Sequence, residues 1–182
     1  MNNKTNTNIN KGFIQCYTGN GKGKTTAALG LALRAAGHNK KVKIFQFMKG
    51  QINYGELNSI KKLSPYVEIE QCGRKEFVSK ENPEKIDVDL AKNCWEKAKK
   101  AIFSGNYDIV ILDELNVALD FKLLQIDEII STLKNKPENV EIIITGRYAP
   151  KEIIEISDLI TEMKEIRHYY HKGIPEREGF EF

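Results

Sequence analysis

The sequence predicts an α/β protein with a mainly parallel sheet and helices on both faces, a three-layer arrangement. Three observations predict it. Short apolar, β-prone runs alternate with helix-forming segments from Gly12 almost to the end of the chain, the pattern of a parallel sheet whose crossovers are helical. A glycine-rich turn, Thr18-Gly19-Asn20-Gly21-Lys22-Gly23-Lys24-Thr25, joins the first such run to the first helical segment. One later run, Ile109-Val110-Ile111-Leu112, ends in the paired carboxylates Asp113 and Glu114.

Taken in order, Phe13 to Tyr17 reads as the first strand and Thr26 to Leu33 as the body of the first helix, so the glycines form the turn between them. Gly19, Gly21 and Gly23 carry no Cβ, which lets successive backbone N–H groups point inward at an anion. Lys24 then supplies positive charge to terminal phosphates, and the Thr25 hydroxyl is placed to ligate Mg²⁺ at the positive end of the helix dipole. The usual pattern, G-x-x-x-x-G-K-[ST], begins here with Thr18 in place of glycine, so the loop is a variant. Gly37 reads as the C-cap of this helix, followed by a strand at Val42 to Phe47 and a loop opened by Gly50 and Gly55.

A short helix from Glu56 to Leu63 and a strand from Val67 to Gln71 come next, then a polar stretch from Gly73 to Pro83 with no periodicity, the kind of loop that serves ligands. Leu90, Cys94, Ala98 and Ile102, with Ala91, Trp95 and Ala101, form one helical stripe ending near Ser104-Gly105, and Trp95 reads as core. The run into Asp113 and Glu114 reads as a buried central strand carrying a Walker B-like acidic pair that holds Mg²⁺ directly or through water. Val140 to Thr145 is a further buried strand, with Arg147 just beyond it in reach of the same crevice. A helix from Pro150 to Ser157 and a strand from Leu159 to Ile166 complete the alternation, and His168 and His171 read as surface histidines. The expectation is a P-loop (RecA-like) three-layer fold.

A length of 182 residues suits one domain, expected over 12–182 behind a flexible Asn/Lys/Thr-rich arm at 1–11. The net charge of +3, from 28 basic and 25 acidic residues, singles out neither nucleic acid nor a membrane surface. Cys16, Cys72 and Cys94 show neither C-x-x-C spacing nor an even count, so reduced thiols are expected. With no apolar leader or membrane-length run, the expected location is cytoplasmic.

Nucleotide and Mg²⁺ leave the reaction open. Other residues narrow it: Tyr17 to Ala28, Gly37-His38, Gln46-Phe47-Met48-Lys49-Gly50, Gly55-Glu56, Leu112-Asp113-Glu114-Leu115, Thr145 to Pro150, Lys172-Gly173 and Gly179-Phe180-Glu181-Phe182. On these the chain, from Gly12 to Phe182, resembles the ATP:corrinoid adenosyltransferases of cobalamin biosynthesis, in which the Thr-first loop is the usual form. The resemblance implies transfer of the 5′-deoxyadenosyl group of ATP to a Co(I) corrinoid with release of triphosphate. It implies phosphate contacts from Gly19, Asn20, Gly21, Lys22, Gly23, Lys24 and Thr25, with Asn20 also toward the ribose. It further implies catalytic roles for Lys24, Thr25 and Glu114, and metal coordination by Thr25 and Glu114 with Asp113 as a further ligand. A homodimer and an electron-donating flavoprotein partner are the family's expectation. The chain departs from the family in the loop after the third strand, where an aromatic cluster is expected and only Phe77 stands as a corrinoid contact. The alternative is a P-loop ATPase or nucleotide-gated binding module in which Glu114 polarises water and basic loops hold single-stranded nucleic acid.

Overall fold

The computed structural model describes residues 11–50 and 54–181. Residues 1–10 of the expected arm, and the closing Phe182 of the family motif, lie outside the described residues. Six strands, β1 (Ile14–Thr18), β2 (Val42–Gln46), β3 (Val67–Gln71), β4 (Ile109–Asp113), β5 (Glu141–Thr145) and β6 (Leu159–Glu162), form one sheet in the order β3-β2-β4-β5-β1-β6. Every pairing is parallel, with Cys16 beside Ile144, Phe45 beside Leu112 and Leu112 beside Ile144.

The period-two alternation of the central strands sorts two cores. Ile44, Ile111 and Ile143 face one side, under α1 (Lys24–Ala36) and α2 (Gly55–Lys61). Phe45, Val110, Leu112, Ile142 and Ile144 face the other, under α3 (Lys85–Phe103), α4 (Leu115–Asp120), α5 (Ile126–Lys134) and α6 (Lys151–Ile156). Strands buried on both faces favour apolar side chains through their middle, which is why Ile109–Leu112 of β4 and Ile142–Ile144 of β5 read as unbroken runs. Trp95 is core as expected, 1% exposed, and its indole N–H donates to Glu128 across to α5.

Several expectations are corrected. Helices α4 and α5 occupy the stretch between Glu114 and Val140, for which no element is expected above; Ile126, Ile129, Ile130 and Leu133 carry the helical spacing that reveals α5. The last strand stops at Glu162, four residues before Ile166, because the chain leaves the sheet edge to pack its Met163 carbonyl on the glycine turn. Gly37 is the C-cap of α1 as expected, with φ −62°, and Asn39 just beyond it is left-handed at φ 58°. Cys72 and Cys94 are joined as a disulfide, leaving Cys16 as the free thiol among the described residues. Their Cα atoms lie 5.6 Å apart because α3 packs over the end of β3, a juxtaposition that linear spacing does not encode.

Candidate functional site

All six strands point their carboxyl ends to one rim, where doubly wound sheets place ligands. The side chains confirm the polarity of that rim: Lys24, Gln46, Asp113 and Thr145 are all buried polar residues there. Three non-glycine residues within three positions of a strand's carboxyl end, Met48, Glu114 and Tyr148, hold φ near +60° (62°, 62° and 58°). Strained backbone persists only where the surroundings enforce it, and it gathers at functional sites.

The turn Gly19 to Gly23 leads from β1 into α1, with Gly23 at the N-cap. Gly19 has φ +95°, and a Cβ there would lie 2.5 Å from the Met163 carbonyl oxygen. The same carbonyl accepts the Gly21 N–H at 2.6 Å, so the segment after β6 braces the turn from outside. Lys24, 7% exposed, folds back to donate to the carbonyls of Gly19 (2.8 Å) and Gly21 (2.7 Å). Burial lowers its pKa, partly opposed by the Glu114 charge.

The two carboxylates after β4 have opposite surroundings. Asp113 is saturated: Oδ1 accepts from Thr25 (2.8 Å) and Thr145 (2.7 Å), and Oδ2 from Lys49 (3.1 Å) and Gln46 (3.3 Å). One strand lies between β1 and β4 in the sheet, and that strand, β5, is what delivers Thr145. The Glu114 backbone N–H donates to Thr145 Oγ1 at 3.0 Å, while the Glu114 side-chain oxygens take no hydrogen bond among the described residues. Burial, then the neighbouring Asp113 charge, raises the Glu114 pKa despite Lys49, Lys24 and Arg147. Burial also opposes charge on Lys49, but Asp113 and Glu114 outweigh it and hold its pKa above the ordinary lysine value.

A cavity of about 1070 Å³ opens from this rim, lined by the turn residues Gly21 to Thr25, Lys49, Tyr54, Glu114 and Arg147, and beyond them by Phe77 and the C-terminal segment. Phe77 is 97% exposed but its loop is stapled on both sides. Arg74 pairs with Asp87 (2.8 Å) and Glu84 (2.6 Å) at the start of α3, Val78 is buried, and Lys80 reaches Asp120 at 2.6 Å. The loop's base is fixed by close backbone approach, since a Cβ on Gly50 would fall 1.7 Å from the Gly73 carbonyl oxygen.

The structure thus gathers Lys22, Lys24, Thr25, Glu114 and Phe77 around one cavity, with Asp113 directly behind Thr25. Gly19 and Asn20 belong to the same turn but do not line the cavity, and the Lys22 side chain turns to the chain end, 3.3 Å from Glu181. Lys49, Tyr54 and the C-terminal segment are site residues that the motifs did not single out by role, although Lys49 sits within a run quoted above. His168 and His171 line the cavity too, His171 pairing with Glu165 at 2.6 Å. Chemically, the rim offers the Lys24 and Arg147 cations for a polyanion, the half-buried Glu114 carboxylate for a cation, and the exposed rings of Phe77, Tyr170 and Phe180 further out.

A model of the family described as ATP:corrinoid adenosyltransferase BtuR/CobO/CobP matches residues 10–182. A corrinoid adenosyltransferase of Sinorhizobium is 36% identical over 174 residues, covering 94% of this chain and 81% of that one. The corrinoid adenosyltransferase of Escherichia coli is 33% identical over 172 residues, covering 94% and 86%. An uncharacterized Nostoc protein is 41% identical over 169 residues, but the chain spans only 45% of its length. Among solved structures, a KaiC-like protein of Pyrococcus horikoshii superposes with a TM-score of 0.55 at 14% identity over 86% of this chain and 75% of that one, a likeness of fold.

Proposed function

Because the chain belongs to the ATP:corrinoid adenosyltransferase family, we propose that it transfers the 5′-deoxyadenosyl group of ATP to the Co(I) centre of a corrinoid and releases triphosphate, in adenosylcobalamin biosynthesis or salvage. The observation that carries this reading is the single cavity running from the phosphate turn to Phe77. At about 1070 Å³ it reaches the top of the ~300–1,000 Å³ range of pockets for one drug-sized ligand, as a site for two substrates held face to face would.

Co(I) is a strong nucleophile, so in-line attack on C5′ needs alignment and a stabilised leaving group more than a general base. The cobalt electron pair forms the Co–C bond as the C5′–O bond breaks, and that bonding pair departs with triphosphate. Residues 19–25 hold the triphosphate through main-chain N–H groups, and Lys24 meets the charge that grows on the departing oxygen. Asn20 contacts the ribose and Phe77 the corrin face. The donors present suit a hard cation, the Thr25 hydroxyl and Asp113 carboxylate being 2.8 Å apart beside the unbonded Glu114 carboxylate. Thr25 and Glu114, with Asp113 behind them, would hold Mg²⁺, which when bound supplies positive charge to the triphosphate. Asp113 is already engaged by four protein donors, so its main part is to orient Thr25.

The segment 12–182 works as one domain in this reading, in the cytoplasm, with Co(I) delivered by an electron-donating flavoprotein and the chain paired as a homodimer. The exposed edge strand β6, with Leu159 and Ile160 each 45% exposed, supports a further contact surface. Among the described residues no helix is long and apolar enough to cross a membrane.

The test is the bond cleaved. Protein is incubated anaerobically with Mg-ATP and a chemically reduced Co(I) corrinoid, the corrinoid spectrum is followed, and phosphate products are separated. Triphosphate should appear in step with a light-sensitive adenosylated corrinoid. ADP formed at one rate with or without corrinoid would establish the ATPase instead.

A further inference from the structure

Loop 73–83 offers the cavity one ring, Phe77, and the C-terminal segment 169–181 lines the same cavity. In that segment Tyr170 is 70%, Phe180 67% and Ile174 41% exposed, and all three line the same cavity as Phe77. Single exposed apolar side chains are ordinary; several on one concave surface mark a binding face.

This wall is held in place. The Glu181 carboxylate accepts from the Arg177 backbone N–H (2.9 Å) and guanidinium (3.3 Å) and from the Tyr169 hydroxyl, and it lies 3.3 Å from the Lys22 ammonium. Lys22 also donates to the Phe180 carbonyl. The Arg177 guanidinium sits between the rings of Tyr169 and Phe180, 4.9 and 4.6 Å from their centroids, a cation–π sandwich. The Tyr169 hydroxyl first, then Arg177 and Lys22, hold the Glu181 carboxyl at about 2, so the hub stays charged at every physiological pH.

We propose that segment 169–181 is the second wall of the corrinoid site, Tyr170 and Phe180 meeting the apolar face of the macrocycle opposite Phe77, with Glu181 as the positioning residue that ties this wall to the phosphate turn through Lys22. The inference rests on the adenosyltransferase reading above. A broad flat ligand presents two faces, and a lone ring at Phe77 covers part of one; the C-terminal rings supply the aromatic surface that loop 73–83 lacks. Tethering through Lys22 also fixes the spacing between the corrin wall and the triphosphate end, the distance on which in-line attack depends.

The test uses the full chain with ATP and a Co(II) corrinoid, whose visible spectrum reports binding without turnover, together with steady-state KM values for both substrates. Phe180→Ala and Tyr170→Ala should each weaken corrinoid binding about 5- to 30-fold, the loss of one stacked ring, and leave ATP affinity within about twofold. Glu181→Gln keeps every ring and should raise the corrinoid KM more than it lowers kcat, with Tm unchanged. Phe180→Leu, which keeps apolar volume without a ring, stands in if the alanine variant does not fold. A loss confined to ATP affinity would assign the rings to adenine, and a changed sedimentation coefficient with unchanged corrinoid binding would assign them to a second copy of the chain; either overturns the wall, as does no effect. Wild-type protein assayed alongside separates the two levels, because a wild type that adenosylates beside unaffected variants sinks only the wall.

Discussion

Replacing each of the adjacent carboxylates by its amide should move stability in opposite directions. Asp113 is 1% exposed and each of its oxygens accepts two donors. In Asp113→Asn one oxygen becomes an NH₂, so a donor must face donors. Oriented to keep Thr25 and Thr145 satisfied, the amide abandons Lys49, whose side chain is only 20% exposed. Removing one member of a buried pair costs about 3–5 kcal/mol, and the residual access of water to Lys49 puts this case near the lower end, about 3 kcal/mol. For a chain of this size that lowers Tm by about 6–12 °C.

Glu114→Gln removes a charge that burial and Asp113 already oppose, so it should raise Tm at neutral pH. The sign with pH follows from the raised pKa. The folded protein binds the Glu114 proton more tightly than the unfolded chain does, so the wild type carries a penalty above that pKa which disappears as pH falls through it. The advantage of Glu114→Gln should therefore shrink towards zero in mild acid. Differential scanning calorimetry of both variants and the wild type between pH 4 and 8, without nucleotide, measures this. Equal losses in both variants, or a Glu114→Gln protein less stable than wild type at neutral pH, would refute the division of roles.

Lys24→Ala should lose about 2–4 kcal/mol of transition-state stabilisation, roughly 30- to 1,000-fold in adenosyl transfer, read as kcat/KM with the corrinoid saturating. Phe77→Ala should weaken corrinoid binding while leaving ATP affinity and Tm unchanged, because a ring 97% exposed supports no core; a drop in Tm would make it a loop anchor. Gly50→Ala forces a Cβ against the Gly73 carbonyl, where both partners are backbone, and should cost about 1–3 kcal/mol in denaturant unfolding.

The glycine turn is legible because its pattern is contiguous: its glycines, Lys24 and Thr25 follow one another, and the strand before and helix after them are local patterns. The same holds for the apolar stretches Ile109–Leu112 of β4 and Ile142–Ile144 of β5, since burial on both faces favours apolar side chains in the middle of a strand. Even the acidic pair could be found by its place at a strand end. What no local pattern carries is which of those carboxylates is free. That depends on Thr25, Lys49 and Thr145 arriving from α1, the end of β2 and β5, separated from Asp113 by 88, 64 and 32 residues. The Cys72–Cys94 link, the Met163 carbonyl that requires glycine at 19, and the C-terminal wall tied to Lys22 are of the same kind. A parallel sheet separates neighbouring strands by whole crossovers, so residues that meet at its rim are remote in the chain, and their partnership exists only once the sheet order is formed.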